Sequence, residues 1–149
     1  MIVLMTGLPG TGKTTLAREL ALRTGGRVVS KDEIRHALFA ESEIEYSVQQ
    51  DDFCLQVMLA TAAYLLSRDR SRTIFLDGRT FSRRYQIDNV LTVAASLHQP
   101  WRILECVCRD ETVGQRLNAD AANTLHPAGN RDFDLYRGSE GPLRGHHSR

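Results

Sequence analysis

The segment Gly7-Leu8-Pro9-Gly10-Thr11-Gly12-Lys13-Thr14 packs three glycines, a proline, a lysine and two threonines into eight residues, and few backbones can carry it. It follows directly on the apolar run Ile2-Val3-Leu4-Met5 and leads into Leu16, Ala17, Leu20 and Ala21 at helical spacing. A continuous apolar run is the pattern of a strand buried on both faces, and spacing by three and four is that of an amphipathic helix. A strand, a glycine-rich turn and a helix in that order make a cradle for phosphate. Glycines let several backbone N–H groups approach an anion at once, and the helix start adds free N–H groups and its positive dipole end. The pattern is the Walker A motif. It predicts that Gly7, Leu8, Pro9, Gly10, Thr11, Gly12, Lys13, Thr14 and Thr15 hold a nucleotide, ATP in this reading, with Lys13 directed at the β- and γ-phosphates and Thr14 at Mg²⁺. The dinucleotide fingerprint G-x-G-x-x-G does not fit, because Gly7, Gly10 and Gly12 are spaced by three and two.

The rest of the chain alternates in the same way. Arg27-Val28-Val29 reads as a second strand, ended by Ser30, a helix cap with Glu33 as its capping-box partner. Residues 40–48 are acidic and aperiodic. A long helix is predicted over 49–68, with Phe53, Val57, Ala60 and Tyr64 on one stripe, broadened by Leu55, Met58, Ala62 and Leu65. Residues 73–77 form a third strand, 82–97 a helix, 102–107 a fourth strand and 111–120 a short helix; the remainder has little apolar pattern. Strands alternating with helices imply right-handed crossovers and a three-layer α/β fold around a parallel sheet. No linker divides the chain.

Composition narrows the function. With 42% hydrophobic and 25% charged residues the chain is that of a globular protein, and a net charge of +1 gives no general case for nucleic acid or anionic membrane as a partner. The N-terminal apolar run is too short to span a membrane. Three cysteines, Cys54, Cys106 and Cys108, fit neither a disulfide framework nor a closed zinc site, so a reducing cytoplasm is expected. Only Lys13 and Lys31 among the 19 basic residues are lysine, so Lys13 is no random surface decoration. No Asn/Thr-Lys-x-Asp guanine motif is present, and the chain is short for a helicase or transporter ATPase. A phosphotransferase for a small substrate remains.

Two further constellations fit that chemistry. Asp77 ends the third strand, where ligands bind in parallel sheets, and is a candidate for holding Mg²⁺. In Ser30-Lys31-Asp32-Glu33-Ile34-Arg35, Asp32 and Arg35 share a helix face after the second strand. A carboxylate there can accept a hydroxyl proton, and the arginine can hold an anionic acceptor group or a phosphate. The bland alternative is an exposed salt pair of little energetic consequence. Asp51 and Asp52 read as ordinary complement to a helix dipole.

With these motifs the chain resembles the small P-loop kinases that include polynucleotide 5′-hydroxyl kinases, zeta toxins and chloramphenicol phosphotransferases. The resemblance rests on residues 7–15, Ser30-x-Asp32-x-x-Arg35, Leu76-Asp77-Gly78 with Thr80-Phe81, Arg116-Leu117 and residues 126–131. It implies a P-loop NTPase fold with strand order 2-3-1-4, a fifth strand missing or diverged. It implies a kinase-like domain over 1–137 with a lid over about 116–131; residues 138–149, glycine-broken and polar, depart from the relatives and read as a flexible tail. The implied activity is ATP- and Mg²⁺-dependent phosphotransfer to a hydroxyl of a small molecule or a nucleic-acid end. Asp32 would be the general base, Arg35 the acceptor-binding arginine, and Arg116, with Arg131 as a further candidate, would bridge the ATP phosphates. Arg79 and Thr80 would line the acceptor pocket. Asp120, four residues after Arg116, stands where many relatives carry a second arginine. A nucleotide-binding protein or ATPase without an acceptor is the alternative.

Overall fold

A computed structural model of the chain describes residues 1–78, 83–109, 111, 112, 114, 115 and 118. In chain order the elements are β1 (Ile2–Thr6), α1 (Lys13–Thr24), β2 (Arg27–Ser30), α2 (Lys31–Leu38), a 3-10 turn (Glu41–Glu43), α3 (Val48–Arg68), β3 (Ile74–Asp77), α4 (Arg84–Ser96) and β4 (Trp101–Glu105). The four strands form one parallel sheet in the order β2-β3-β1-β4. The expected strand order 2-3-1-4 and three-layer parallel architecture are therefore the observed ones.

The apolar strand runs divide between two cores because successive side chains point to opposite faces. Ile2, Leu4, Val29, Ile74 and Leu76 meet Leu55, Met58, Leu59, Ala62 and Leu66 of α3 and Val90 and Ala94 of α4. On the other face Val3, Met5 and Phe75 pack against Ala17 of α1, with Leu20, Ala21 and Leu104 at the margin. β1 and β3 are buried along their whole length, as their unbroken apolar runs require.

Two helices start on serine caps. The Ser30 hydroxyl accepts from the Glu33 N–H at 3.3 Å, and Ser47 caps α3 by accepting from Gln50 at 3.2 Å. The Glu33 carboxylate accepts from Arg18 at 3.0 Å, a contact across to α1. One expectation is corrected. Phe53 is 48% exposed and Tyr64 66%, whereas the buried stripe of α3 is Cys54, Leu55, Met58, Leu59, Ala62 and Leu66. The helix is apolar enough around its circumference that periodicity alone does not fix which stripe meets the sheet. Phe53 finds Phe39 instead, edge-on with ring centroids 5.8 Å apart.

Candidate active site

β1 delivers the chain to the glycine loop at the carboxyl edge of the sheet. Gly7, Gly10 and Gly12 all have positive φ, at 125°, 76° and 91°. At Gly7 the requirement is also steric, since a Cβ there would overlap the Cys106 carbonyl oxygen, part of the backbone that continues β4 past β1. That backbone is held, because the Cys106 N–H donates to the Thr6 carbonyl at 2.8 Å. Gly7→Ala combines left-handed strain with this overlap, about 2–3 kcal/mol, and a fall in melting temperature of roughly 5–10 °C is the expected result in a thermal melt.

Thr11 closes the loop, its hydroxyl donating to the Leu8 carbonyl at 2.7 Å. Lys13 is 3% exposed, and its Nζ donates to the same carbonyl at 2.7 Å. The lysine is thereby folded back over the loop. Gly12 is the N-cap of α1 and supplies no side-chain cap, which leaves the helix start presenting backbone N–H groups to an anion. Pro9 and Gly10 are buried, Leu8 and Thr14 half-buried, and Thr15 exposed.

The Thr14 hydroxyl donates to Asp77 Oδ2 at 2.7 Å, across 63 residues of sequence. Asp77 is 3% exposed. Parallel pairing of β2 with β3 sets Ser30 opposite Asp77, so α2 starts beside this carboxylate. Two hard oxygen atoms thus lie side by side at the head of the glycine loop, a pair that could hold a hard cation such as Mg²⁺.

Asp32 and Arg35 follow on α2, which starts at Lys31 after Ser30. Asp32 is 6% exposed and Arg35 1%, so the pair is not a solvated helix salt bridge. Arg35 Nη1 donates to Asp32 Oδ1 at 3.2 Å, Nη2 donates to Asp51 Oδ1, and the guanidinium lies over the Tyr46 ring at 5.0 Å. Lys31, 2% exposed, donates to the same Asp51 oxygen at 2.9 Å. Burial pushes the Lys31 ammonium below the usual lysine range, partly offset by Asp51. Its stem crosses Gly78, where a Cβ would come within 2.9 Å of Lys31 Cβ.

Sequence reading thus missed Lys31 and Asp51 as members of the site. The one signal was that Lys31 is one of only two lysines in the chain. Asp52, beside Asp51, accepts from the Tyr85 hydroxyl at 2.8 Å and from Gln86 Nε2 at 3.0 Å, which ties α3 to α4. Arg79, Thr80, Arg116, Asp120 and Arg131, with most of the expected lid and the whole tail, lie outside the described residues. Cys106, half-buried near Lys13 and Asp77, has its thiol pushed up by burial. No group of residues suited to a His/Cys/Asp/Glu metal cluster occurs among the described residues, and no described helix is long and apolar enough to cross a membrane.

Residues 2–138 match the family model described as an AAA domain. Comparison with curated proteins gives no match. Among solved structures the chain is similar to an inferred kinase from Chloroflexus aurantiacus j-10-fl, with TM-score 0.69 and 22% identity over 91% of this chain and 77% of that one. It is similar to a chain of the Pnkp1/Rnl/Hen1 RNA repair complex, with TM-score 0.68 and 15% identity over 93% of this chain and 43% of that one. A third likeness is to the APS kinase CysC of Mycobacterium tuberculosis in complex with AMPPNP and APS, with TM-score 0.60 and 20% identity over 88% of this chain and 79% of that one. At these identities the likeness is one of fold.

Proposed function

Because the chain belongs to the AAA domain family, with the three-layer P-loop fold, we propose that it is an ATP- and Mg²⁺-dependent phosphotransferase acting on a hydroxyl of a small molecule or nucleic-acid end. The observation that carries the reading is the 2.7 Å contact between Thr14 and Asp77 at the head of the glycine loop. It joins the loop hydroxyl to a strand-end carboxylate in the way a phosphate-bound cation needs.

Each residue then has a task. The loop N–H groups and Lys13 bind the phosphate chain, and the Lys13 charge favours the transition state as negative charge shifts toward the bridging oxygen. Thr14 and Asp77 would hold Mg²⁺, which when bound neutralises phosphate charge. Asp32 accepts the proton of the acceptor hydroxyl. The hydroxyl oxygen forms a bond to the γ-phosphorus, the bond from that phosphorus to the β–γ bridging oxygen breaks, and ADP leaves. Arg35 keeps Asp32 oriented through their hydrogen bond. Arg116 and Arg131 are proposed as further cations over the transferring group, in a lid over about 116–131. The chain is proposed to work in the cytoplasm.

A screen with γ-labelled ATP over nucleosides, 5′-hydroxyl oligonucleotides and amino-sugar alcohols tests the reading. Label in an acceptor supports it. Phosphate release without labelled acceptor points to an ATPase, and ATP binding alone to a nucleotide-binding protein. Asp77→Asn is expected to weaken Mg²⁺-dependent ATP affinity by about tenfold, the cost of one charge-assisted ligand, while Mg²⁺-free affinity stays near wild type in calorimetry.

A further inference from the structure

The charge of the whole chain is close to balanced, but its charges are sorted in space. All strands of the parallel sheet begin at one edge, and that edge gathers arginine. Arg27 opens β2, Arg102 is the second residue of β4, Arg68 ends α3, and Arg70 and Arg72 lie in the turn that carries α3 into β3. Arg72 is half-buried and the other four are exposed. Asp77 and Asp32 stand at the opposite edge, where β3 ends and α2 begins.

Against these five arginines the edge sets one carboxylate in the same turn, Asp69, which leaves four formal positive charges. Asp69 Oδ1 is engaged by Ser71, accepting from its N–H at 3.0 Å and its hydroxyl at 2.6 Å. The nearby Arg23–Glu19 pair of α1 cancels itself. Among the described residues, none of the five arginines makes an ion pair. Complement to helix dipoles explains part of the cluster. It accounts for Arg68 at the end of α3, and for Arg70, whose Nη2 donates at 3.1 Å to the Leu97 carbonyl at the end of α4. It leaves Arg72 and Arg102 unexplained. The dipole ends of α1, α3 and α4, roughly half a negative charge each, lower the surplus without cancelling it.

An aromatic ring stands in the same surface. Trp101, the chain's only tryptophan, is 42% exposed beside Arg102. Arg27, Ile74, Ile2 and Trp101 form one row of register partners, so Arg27 and Trp101 lie three strand spacings apart, about 14 Å. Gln99 Nε2 donates to the Arg70 carbonyl at 3.2 Å and Arg70 to the Leu97 carbonyl, which laces the turns before β3 and β4 together.

We infer that this edge of the sheet is a docking surface for single-stranded nucleic acid, with the arginines on its phosphates and an unpaired base stacked on Trp101. Dispersed guanidinium groups suit a chain of regularly spaced single charges. The exposed indole among them favours a partner with planar rings over an acidic peptide. The surface lies at the far end of the strands from the glycine loop, so a bound strand leaves the nucleotide site open. The inference is independent of the phosphotransferase reading.

The test titrates the full chain with a thymidine oligonucleotide of about 20 residues, labelled with fluorescein at its 5′ end so that no 5′-hydroxyl is offered to the candidate active site. At about 50 mM salt, anisotropy is expected to give a Kd of roughly 1–10 μM, with log K falling against log salt at a slope of about −3.5, the value for five phosphate contacts on a single strand. The unlabelled 5′-phosphorylated oligonucleotide is expected to quench tryptophan emission, which comes from Trp101 alone. A duplex of equal length keeps its bases stacked on one another and is expected to quench less. Arg27→Gln combined with Arg102→Gln should weaken binding at least about tenfold and make the slope shallower by about 1.4, with circular dichroism unchanged. Four results overturn the inference: no binding by wild type, binding that leaves Trp101 emission unmoved, equal quenching by the duplex, or a Kd indifferent to the paired substitutions. Displacement of the oligonucleotide by polyglutamate at equal charge concentration also overturns it and assigns the edge to an acidic protein segment. The wild-type titrations need no variant, so they stand if the paired substitutions prevent folding.

Discussion

Lys13→Ala is expected to lower phosphotransfer by about 10²–10³-fold, the usual scale for deleting one preorganised charge from a transition state. The lysine is 3% exposed and its Nζ donates to the Leu8 carbonyl at 2.7 Å, within the loop. On the proposed mechanism its removal deletes a charge at the phosphates, together with its hydrogen bond to the Leu8 carbonyl. The fold, read by circular dichroism and melting temperature, is expected to persist. ATP affinity should fall less than turnover, because the glycine-loop N–H groups still contact the phosphate chain and the Thr14–Asp77 pair is intact. Single-turnover transfer measured beside ATP titration separates the two effects. Wild-type turnover in this variant would remove the phosphate loop from the mechanism.

Asp32→Asn is expected to slow transfer by roughly a hundredfold or more, the scale of general-base loss, with ATP affinity nearly unchanged. The amide keeps the shape of the carboxylate and its oxygen can still accept from Arg35, so the buried charge set is perturbed by one charge while its packing is preserved. It loses the capacity to take a hydroxyl proton at neutral pH. The substitution also leaves Arg35 and Lys31 facing Asp51 alone, with net positive charge in a buried site, and some loss of stability accompanies it. Measuring transfer at saturating ATP and a temperature well below the melting transition keeps the two apart. Unchanged transfer with the true acceptor would exclude Asp32 as the base.

Arg35 illustrates how far the sequence carries such a site and where it stops. Its spacing of three from Asp32 puts both on one face of α2, and that alone predicts a pair. What the pair does depends on what covers it. The cover comes from α3, whose Asp51 lies 16 residues after Arg35 and reads in the sequence as an ordinary first-turn acid. Nothing in local spacing distinguishes an aspartate that complements its own helix dipole from one that anchors two buried cations of the preceding helix. Lys31 was hidden for the same reason: its partner is 20 residues away, and its path over Gly78 depends on β2 and β3 lying side by side. The orientation of α3 was equally beyond local reading, with Phe53 and Tyr64 turned outward against expectation.

The sequence by itself determined the parallel α/β architecture, because unbroken apolar strand runs must be buried on both faces and the helices between them must supply the cover. It determined the phosphate loop as well, since positive φ at Gly7, Gly10 and Gly12 is a local property that glycine alone satisfies without strain. Only the tertiary structure decided that Thr14 meets Asp77, that Asp32 and Arg35 are buried rather than solvated, and that Asp51 joins them to Lys31. Those contacts link residues 14 with 77, 35 with 51 and 31 with 51. They are strengthened by the low dielectric of a closed interior, which exists only once the sheet edge and the helices have closed around these groups.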